Sequence, residues 1–172
     1  RQEAKKKRNF LQFIKLKYTS KKIERFVIEN ANAIICVYNS ILPYAQKLNG
    51  KNIKVIYNKV DLDIFSPNNK PILQSSKPII LSVGRLIDQK DHRILVKAIK
   101  NLDVKLLIIG DGPNYDSIMN LAKSLGILEK IEIIKHVPNK KLSEYYRSAK
   151  IYAQPLVNLD GIPIPVIEAM AC

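Results

Sequence analysis

The stretch Ile79-Ile80-Leu81-Ser82-Val83-Gly84 is followed further along the chain by Val104-Lys105-Leu106-Leu107-Ile108-Ile109-Gly110. Both are short apolar runs that end at a glycine, and residues 91–100 between them have the spacing of a helix. A strand, a helix and a second apolar strand in this order are typical of a parallel unit that is buried on both faces. The sequence therefore predicts an α/β fold.

The same alternation continues on both sides of this unit. Strands are predicted at residues 33–37, 53–57, 79–83, 104–109, 131–134 and 151–153. Helices are predicted at 21–30, 40–48, 91–100, 114–124 with Gly126 as its cap, 140–149, and from about residue 163. Such alternation implies parallel strands joined by crossovers, so we predict a Rossmann-like sheet with flanking helices.

Residues 63–77 interrupt the alternation. They are rich in proline, asparagine and serine and have no apolar period, which is typical of a connection between domains. We therefore predict a first domain at residues 1–62, an interdomain linker at 63–77 and a second α/β region at 78–172.

Composition limits the class of protein. A chain of 172 residues with 47% hydrophobic content can bury a core, but its apolar runs are too short to span a bilayer. Cys36 and Cys172 fit neither a disulfide framework nor a zinc site, and we interpret His92 and His136 as solvated or hydrogen-bonded side chains in preference to catalytic ones. We expect a soluble cytoplasmic protein, and the last predicted helix runs to Cys172 without a cap, which indicates a fragment.

Basic residues are concentrated at the N-terminus. The net charge is +14, and residues 1–25 contribute +8 of it. Apolar residues are interleaved with Lys15 and Lys17, as in a helix with one basic face; they are Phe10, Leu11, Phe13, Ile14, Leu16 and Tyr18. The segment can be solvated surface, a peripheral contact with the inner face of an anionic membrane, or, least favoured, a nucleic-acid site.

Ligands of open parallel sheets bind at the carboxyl ends of the strands, which makes the loops there candidate sites. The loop after residue 83 holds Arg85 and Lys90, which suit phosphate oxygens but can also be solvated. The next loop, Gly110-Asp111-Gly112-Pro113, lacks the third glycine of a dinucleotide fingerprint, and a tight turn explains it from spacing alone. That absence also disfavours a nicotinamide-dependent dehydrogenase.

The third candidate loop leads into the last helix. Asp160 and Glu168 can line one cleft and accept hydrogen bonds from sugar hydroxyls, and Gly161 exposes backbone N–H groups at a helix start that favours anions. The alternative is that Asp160 caps the helix and that Glu168 is an exposed helical residue.

Taken together and in order, these loops resemble the family-four retaining glycosyltransferases of GT-B fold, over residues 25–172. Residues 160–171, DGIPIPVIEAMA, are similar to the family's E-x7-E signature in the form EGxPxxxLEAMA. Gly84-Arg85-Leu86 with Lys90 is similar to its GRL-x3-K segment, and residues 110–113 match its GDGP turn. Residues 57–67 resemble its interdomain pattern, although Lys59 replaces the usual glycine.

The resemblance implies the tail of the acceptor-side N-terminal domain at residues 1–62 and an incomplete nucleotide-sugar-binding C-terminal domain at 78–172. It implies that the donor diphosphate is bound by Gly84, Arg85, Lys90, Gly161 and Ile162. It further implies sugar binding by Asp160, ribose binding by Glu168, and a nucleotide loop formed by Gly110, Asp111, Gly112 and Pro113. Asp160 is one methylene shorter than the usual glutamate, which leaves the donor preference open.

The implied activity is transfer of a sugar, with retention, from a nucleoside diphosphate donor to a lipid-linked or polysaccharide acceptor. The form of the signature found at residues 160–163, DGIP, resembles that of enzymes of surface or exopolysaccharide assembly. We expect no metal and no other cofactor, assign no catalytic residue, and expect little or no transferase activity from this chain alone. The alternatives are an inactive sugar-nucleotide-binding fragment and a basic module that binds membrane or nucleic acid.

Overall fold

The computed structural model describes residues 18–68, 71–156 and 161–172. The chain divides into two compact units, one ending at Asn58 and the other running from Lys59 to Cys172. The elements of the first are helix α1 (residues 18–30), strand β1 (Ile34–Cys36), helix α2 (Leu42–Lys47) and strand β2 (Ile53–Val55). β1 and β2 pair in parallel, which makes this part a small βαβ unit.

The second unit is built on a parallel sheet of four strands with helices between them. The strands are β3 (Ile79–Val83), β4 (Lys105–Ile109), β5 (Ile131–Ile134) and β6 (Ile151–Tyr152). The helices are α3 (Arg93–Ala98), α4 (Tyr115–Ser124), α5 (Asn139–Ser148) and α6 (Ile164–Ala171). The predicted α/β class is confirmed, and the predicted ends of these elements differ from the observed ones by at most two residues.

The order of the strands identifies a topological switch point. In space the strands follow the order β5-β4-β3-β6, and every pairing is parallel. The chain moves outward from β3 to β4 and β5, and then returns to the other side of β3 with β6. The order therefore reverses between β3 and β6, and such a switch point is where open α/β sheets bind ligands.

Both faces of the sheet are covered. In β4, Leu106 and Ile108 join a buried cluster with residues of α3 and α4. Leu107 and Ile109 join a second cluster on the opposite face, together with residues of α5. Burial on two faces explains why the strands read as continuous apolar runs instead of alternating ones.

The described residues of the predicted linker pack against the second unit. Phe65 is 1% exposed, and its ring meets that of Tyr146 edge to face with 6.0 Å between centroids. The backbone N–H groups of Ile72 and Leu73 both donate to Oγ of Ser148 at 3.0 Å. The two compact units divide between Asn58 and Lys59. The predicted bounds of a first domain at residues 1–62 and a linker at 63–77 stay predictions. Assignment of the two units to acceptor and donor sides stays a prediction.

Within the described part of the chain, no helix has both the length and the apolar character needed to cross a membrane. Residues 1–17, which hold most of the N-terminal basic side chains, lie outside the described residues. The predicted contact of residues 1–25 with an anionic membrane therefore stays a prediction.

Candidate functional site

The loop after β3 lies at the switch point and carries the first two candidate ligands. Arg85 is exposed, Lys90 is half-buried, and Leu86 between them is fully buried and anchors the loop. The N–H of Leu86 donates to the carbonyl of Asp111 at 2.9 Å, and the N–H of Asn114 donates to the carbonyl of Leu86 at 3.0 Å. The loop after β4 therefore holds the loop after β3 in place.

Arg85 and Lys90 lie close enough for their charges to interact. The pKa of Lys90 is lowered, first because burial removes the ammonium group from water and second because the positive charge of Arg85 opposes it. Among the described residues, no carboxylate forms a salt bridge with either side chain. Two cations held together in this way favour binding of an anion such as phosphate.

Asp88 adds a side-chain link between the same two loops. Its Oδ1 accepts hydrogen bonds from Nδ2 of Asn114 at 2.9 Å and from Nη2 of Arg93 at 3.2 Å. Nε of Arg93 also donates to Oδ1 of Asp91. These residues could not be predicted from the sequence, because an Asp, an Asn and an Arg in separate segments have no signature until the loops meet.

The glycines after β4 are required by the close approach of the loop after β3. A Cβ at Gly110 would lie 2.0 Å from the carbonyl oxygen of Gly84, and a Cβ at Gly112 would lie 2.5 Å from that of Leu86. The other two residues of this turn, Asp111 and Pro113, are exposed. The glycines thus have a packing role, and contact of residues 110–113 with a nucleotide stays a prediction.

Glu168 is buried and hydrogen-bonded. It is 6% exposed, and its Oε2 accepts from the hydroxyl of Tyr146 at 2.8 Å. The pKa of Tyr146 is raised, first by burial, then by Tyr152 and by the bond and charge of Glu168. The interpretation of Glu168 as an exposed helical residue is therefore wrong. Tyr146 is its only hydrogen-bond partner among the described residues, which leaves the other carboxylate oxygen for a ligand hydroxyl.

The remaining predicted ligands lie at the start of α6. Gly161 is half-buried and Ile162 is exposed, while Pro163 occupies the N-cap position. Asp160 lies outside the described residues, so its contact with a sugar stays a prediction. A cleft of about 740 Å³ between residues 61–64 and helix α5 is lined by none of the predicted site residues.

His92 follows the loop of Arg85 and Lys90 and is the N-cap residue of α3. It is 1% exposed, and neither ring nitrogen has a hydrogen-bond partner in the described parts of the chain. Burial first, and then the charge of Lys90, lower its pKa to about 4. The interpretation of His92 as solvated or hydrogen-bonded is therefore wrong, whereas His136 is exposed as expected.

We expect His92 to make the folded chain less stable as the pH falls from about 6.5 to 4. In this range the unfolded imidazole, with a pKa of about 6.5, binds a proton that the folded imidazole, with a pKa of about 4, does not. Acidification then favours the unfolded state, by about 3 kcal/mol for the whole shift. Urea unfolding at pH 7 and pH 4.5 measures the effect.

The control for this prediction is the exposed histidine. His92→Leu should lose less stability than the wild type on acidification, while His136→Leu should lose as much as the wild type. The same loss in the wild type and in His92→Leu would contradict the prediction.

Known proteins resemble this chain over most of its length. Residues 65–172 match the family model described as Glycosyl transferases group 1. A GDP-mannose-dependent alpha-(1-6)-phosphatidylinositol monomannoside mannosyltransferase from Mycolicibacterium smegmatis is 25% identical over 131 residues, which cover 66% of this chain and 34% of that protein. A Campylobacter jejuni enzyme, named N-acetylgalactosamine-N,N'-diacetylbacillosaminyl-diphospho-undecaprenol 4-alpha-N-acetylgalactosaminyltransferase, is 30% identical over 128 residues, or 71% and 33% of the two chains.

A solved structure shares the fold. HepE from Anabaena, in complex with UDP-glucose, is similar with a TM-score of 0.75 and 15% identity, over 90% of this chain and 46% of that one. This likeness concerns the fold alone and confirms the predicted GT-B type. The chain spans about a third of the length of the curated relatives it matches. Because the family model matches more than half of it, the chain belongs to the glycosyl transferases group 1 family.

Proposed function

We propose that this chain binds a nucleoside diphosphate sugar as the donor side of a retaining glycosyltransferase. The observation that carries the proposal is the pair of Arg85 and Lys90 after β3 at the switch point. Among the described residues, no carboxylate forms a salt bridge with either side chain. The family match and the structural likeness to a protein bound to UDP-glucose support it.

In the proposed reaction, the bond between the anomeric carbon and a diphosphate oxygen breaks, and a bond from that carbon to an acceptor hydroxyl oxygen forms. The proton of the acceptor hydroxyl passes to the departing diphosphate. Negative charge accumulates on the departing diphosphate, and Arg85 and Lys90 stabilise it. In other enzymes a metal ion stabilises this charge. Because Arg85 and Lys90 do so in this proposal, we expect no metal cofactor. Gly161 and Ile162 contribute backbone N–H groups at the start of α6.

The hydroxyl groups of the donor are assigned to the two acidic residues. Glu168, held by Tyr146, accepts hydrogen bonds from the ribose hydroxyls. Asp160 contacts the transferred sugar. Both residues bind the donor in this proposal, and neither acts as an acid or a base.

The acceptor is proposed to be lipid-linked or a polysaccharide. The two relatives support this class, since one is named for a phosphatidylinositol monomannoside and the other for a diphospho-undecaprenol compound. A role in surface or exopolysaccharide assembly rests on the resemblance of residues 160–163.

Donor binding should weaken by about 10- to 100-fold when either cation is removed, since a hydrogen bond to a charged group contributes about 1.5–3 kcal/mol. Arg85→Ala and Lys90→Ala are compared with the wild type by isothermal titration calorimetry with UDP-glucose, GDP-mannose and ADP-glucose. Lys97→Ala, which removes an exposed charge from the last turn of α3, is the matched control and should bind as the wild type does.

A third variant, Glu168→Gln, tests in the same titrations whether Glu168 binds the ribose hydroxyls. Glu168→Gln keeps an acceptor for the Tyr146 hydroxyl but lacks the charge. It should lose the preference of the wild type for UDP over 2′,3′-dideoxy-UDP. Equal donor affinities of the wild type, Arg85→Ala, Lys90→Ala and Glu168→Gln would refute the proposed site.

A further inference from the structure

Gln154 has a buried N–H donor close to Lys90 of the loop after β3. It lies next to the end of β3, because the N–H of the preceding Ala153 donates to the carbonyl of Leu81 at 2.8 Å. Its Nε2 is shielded from water and has no hydrogen-bond partner among the described residues. Nε2 is 3.8 Å from the point that a Cβ would occupy at Gly84, and Cδ and Cε of Lys90 are 3.9 Å from the same point.

Tyr152 holds the amide in this orientation. Its hydroxyl donates to Oε1 of Gln154 at 2.5 Å and lies 3.4 Å from the carbonyl oxygen of Val83. Burial raises the pKa of Tyr152, and the charge of Glu168 adds to the effect, so the hydroxyl remains protonated and can donate. Because Tyr152 engages the amide oxygen, the amide nitrogen is the atom left on the side of Gly84.

The chemistry around this nitrogen selects its acceptor. A buried donor without a partner is costly in the free protein, and a ligand oxygen that accepts from it removes that cost. Lys90 beside the amide and Arg85 near Lys90 make the surroundings positive, which favours an anionic oxygen over a neutral hydroxyl. The position of Gln154 in the fold also favours contact with a ligand, since Gly84 and Gln154 follow the two strands that flank the switch point.

We propose that Gln154 is a further ligand of the donor diphosphate, its Nε2 donating to a phosphate oxygen bound at Gly84, with Tyr152 as the positioning residue that fixes the amide. This inference rests on the proposed function. A single Gln after a short strand has no sequence signature, and only the pairing of β6 with β3 brings it close to Lys90.

Binding of UDP, UMP and uridine to the full 172-residue chain tests the proposal, with GDP, GMP and guanosine in parallel. Gln154→Leu removes the donor and should weaken diphosphate binding about tenfold while leaving nucleoside binding unchanged. Gln154→Glu places a negative charge there and should weaken it further. Tyr152→Phe frees the amide to rotate and should weaken it about threefold.

Thermal unfolding of the ligand-free variants separates a binding role from a structural one. Gln154→Leu should be about as stable as the wild type, because it removes an unpaired buried donor while the Tyr152 hydroxyl keeps the carbonyl oxygen of Val83 as an acceptor. A less stable Gln154→Leu that binds UDP as the wild type does would overturn the proposal in favour of a structural amide. An equal loss of uridine and UDP binding would also overturn it.

The cation variants separate this inference from the function on which it rests. If Arg85→Ala and Lys90→Ala weaken UDP binding and Gln154→Leu does not, the assignment of Gln154 is wrong and the proposed function stands. If neither UDP nor GDP binds, or if all variants bind alike, the proposed function fails and the assignment of Gln154 fails with it.

Discussion

Replacing Gly110 by alanine should destabilise the chain by about 3 kcal/mol or more. The added Cβ would lie 2.0 Å from the carbonyl oxygen and 2.8 Å from the carbonyl carbon of Gly84, and backbone atoms cannot rotate away as a side chain can. Both glycines are also fixed by hydrogen bonds that extend the sheet. The N–H of Gly84 donates to the carbonyl of Ile109, and the N–H of Gly110 donates to the carbonyl of Ile134, each at 2.9 Å. Relief of the collision therefore requires breaking the end of the sheet.

Gly126→Ala is the matched control for urea unfolding. Gly126 has a φ of 68°, and nothing lies within 4 Å of the position its Cβ would take. Its substitution should cost only the left-handed conformation, about 1–2 kcal/mol. If Gly110→Ala is no more destabilising than Gly126→Ala, the loops after β3 and β4 do not approach each other as described.

The fold could be predicted from the sequence because the central strands are buried on both faces. Residues 104–109 form an almost unbroken apolar run, and the glycine that follows each such run marks the end of a strand. The ends of the helices were less predictable. α3 begins at Arg93 with His92 as a cap that makes no side-chain hydrogen bond, so its start has no capping signal.

Candidate site residues could be named from the sequence only where a residue belongs to a local pattern. Arg85 and Lys90 stand out because they follow a predicted strand, and Glu168 because it belongs to a family signature. Gln154 and Asp88 acquire their importance from the neighbouring loops that the strand order brings to them. Because that order is a property of the whole sheet, no pattern within a single loop contains it.

The segment at residues 63–77 shows that local composition also fails to predict which side chains are buried. Its prolines and asparagines have no apolar period, so composition predicted a linker. One aromatic side chain in such a stretch can nevertheless complete a core, since burial depends on what the chain meets in space and not on its neighbours in sequence. Phe65 is that side chain.

Phe65→Ala should destabilise the chain by about 3–5 kcal/mol, the usual cost of removing a buried aromatic ring. Phe65 is 1% exposed, and its ring lies edge to face against Tyr146, which in turn hydrogen-bonds Glu168. The cavity would open beside the tyrosine that holds this carboxylate. We therefore also expect the folded variant to lose part of its preference for ribose-containing nucleotides. Urea unfolding measures the first effect and calorimetry the second.

Phe26→Ala is the control of the same residue type. Phe26 is 67% exposed on α1, and its removal should change the free energy of unfolding by less than about 0.5 kcal/mol. If residues 63–77 formed a free linker, Phe65→Ala would cost no more than Phe26→Ala and would leave nucleotide binding unchanged. A large loss of stability with unchanged ribose preference would instead confine Phe65 to the core, because Tyr146 would then hold Glu168 without its support.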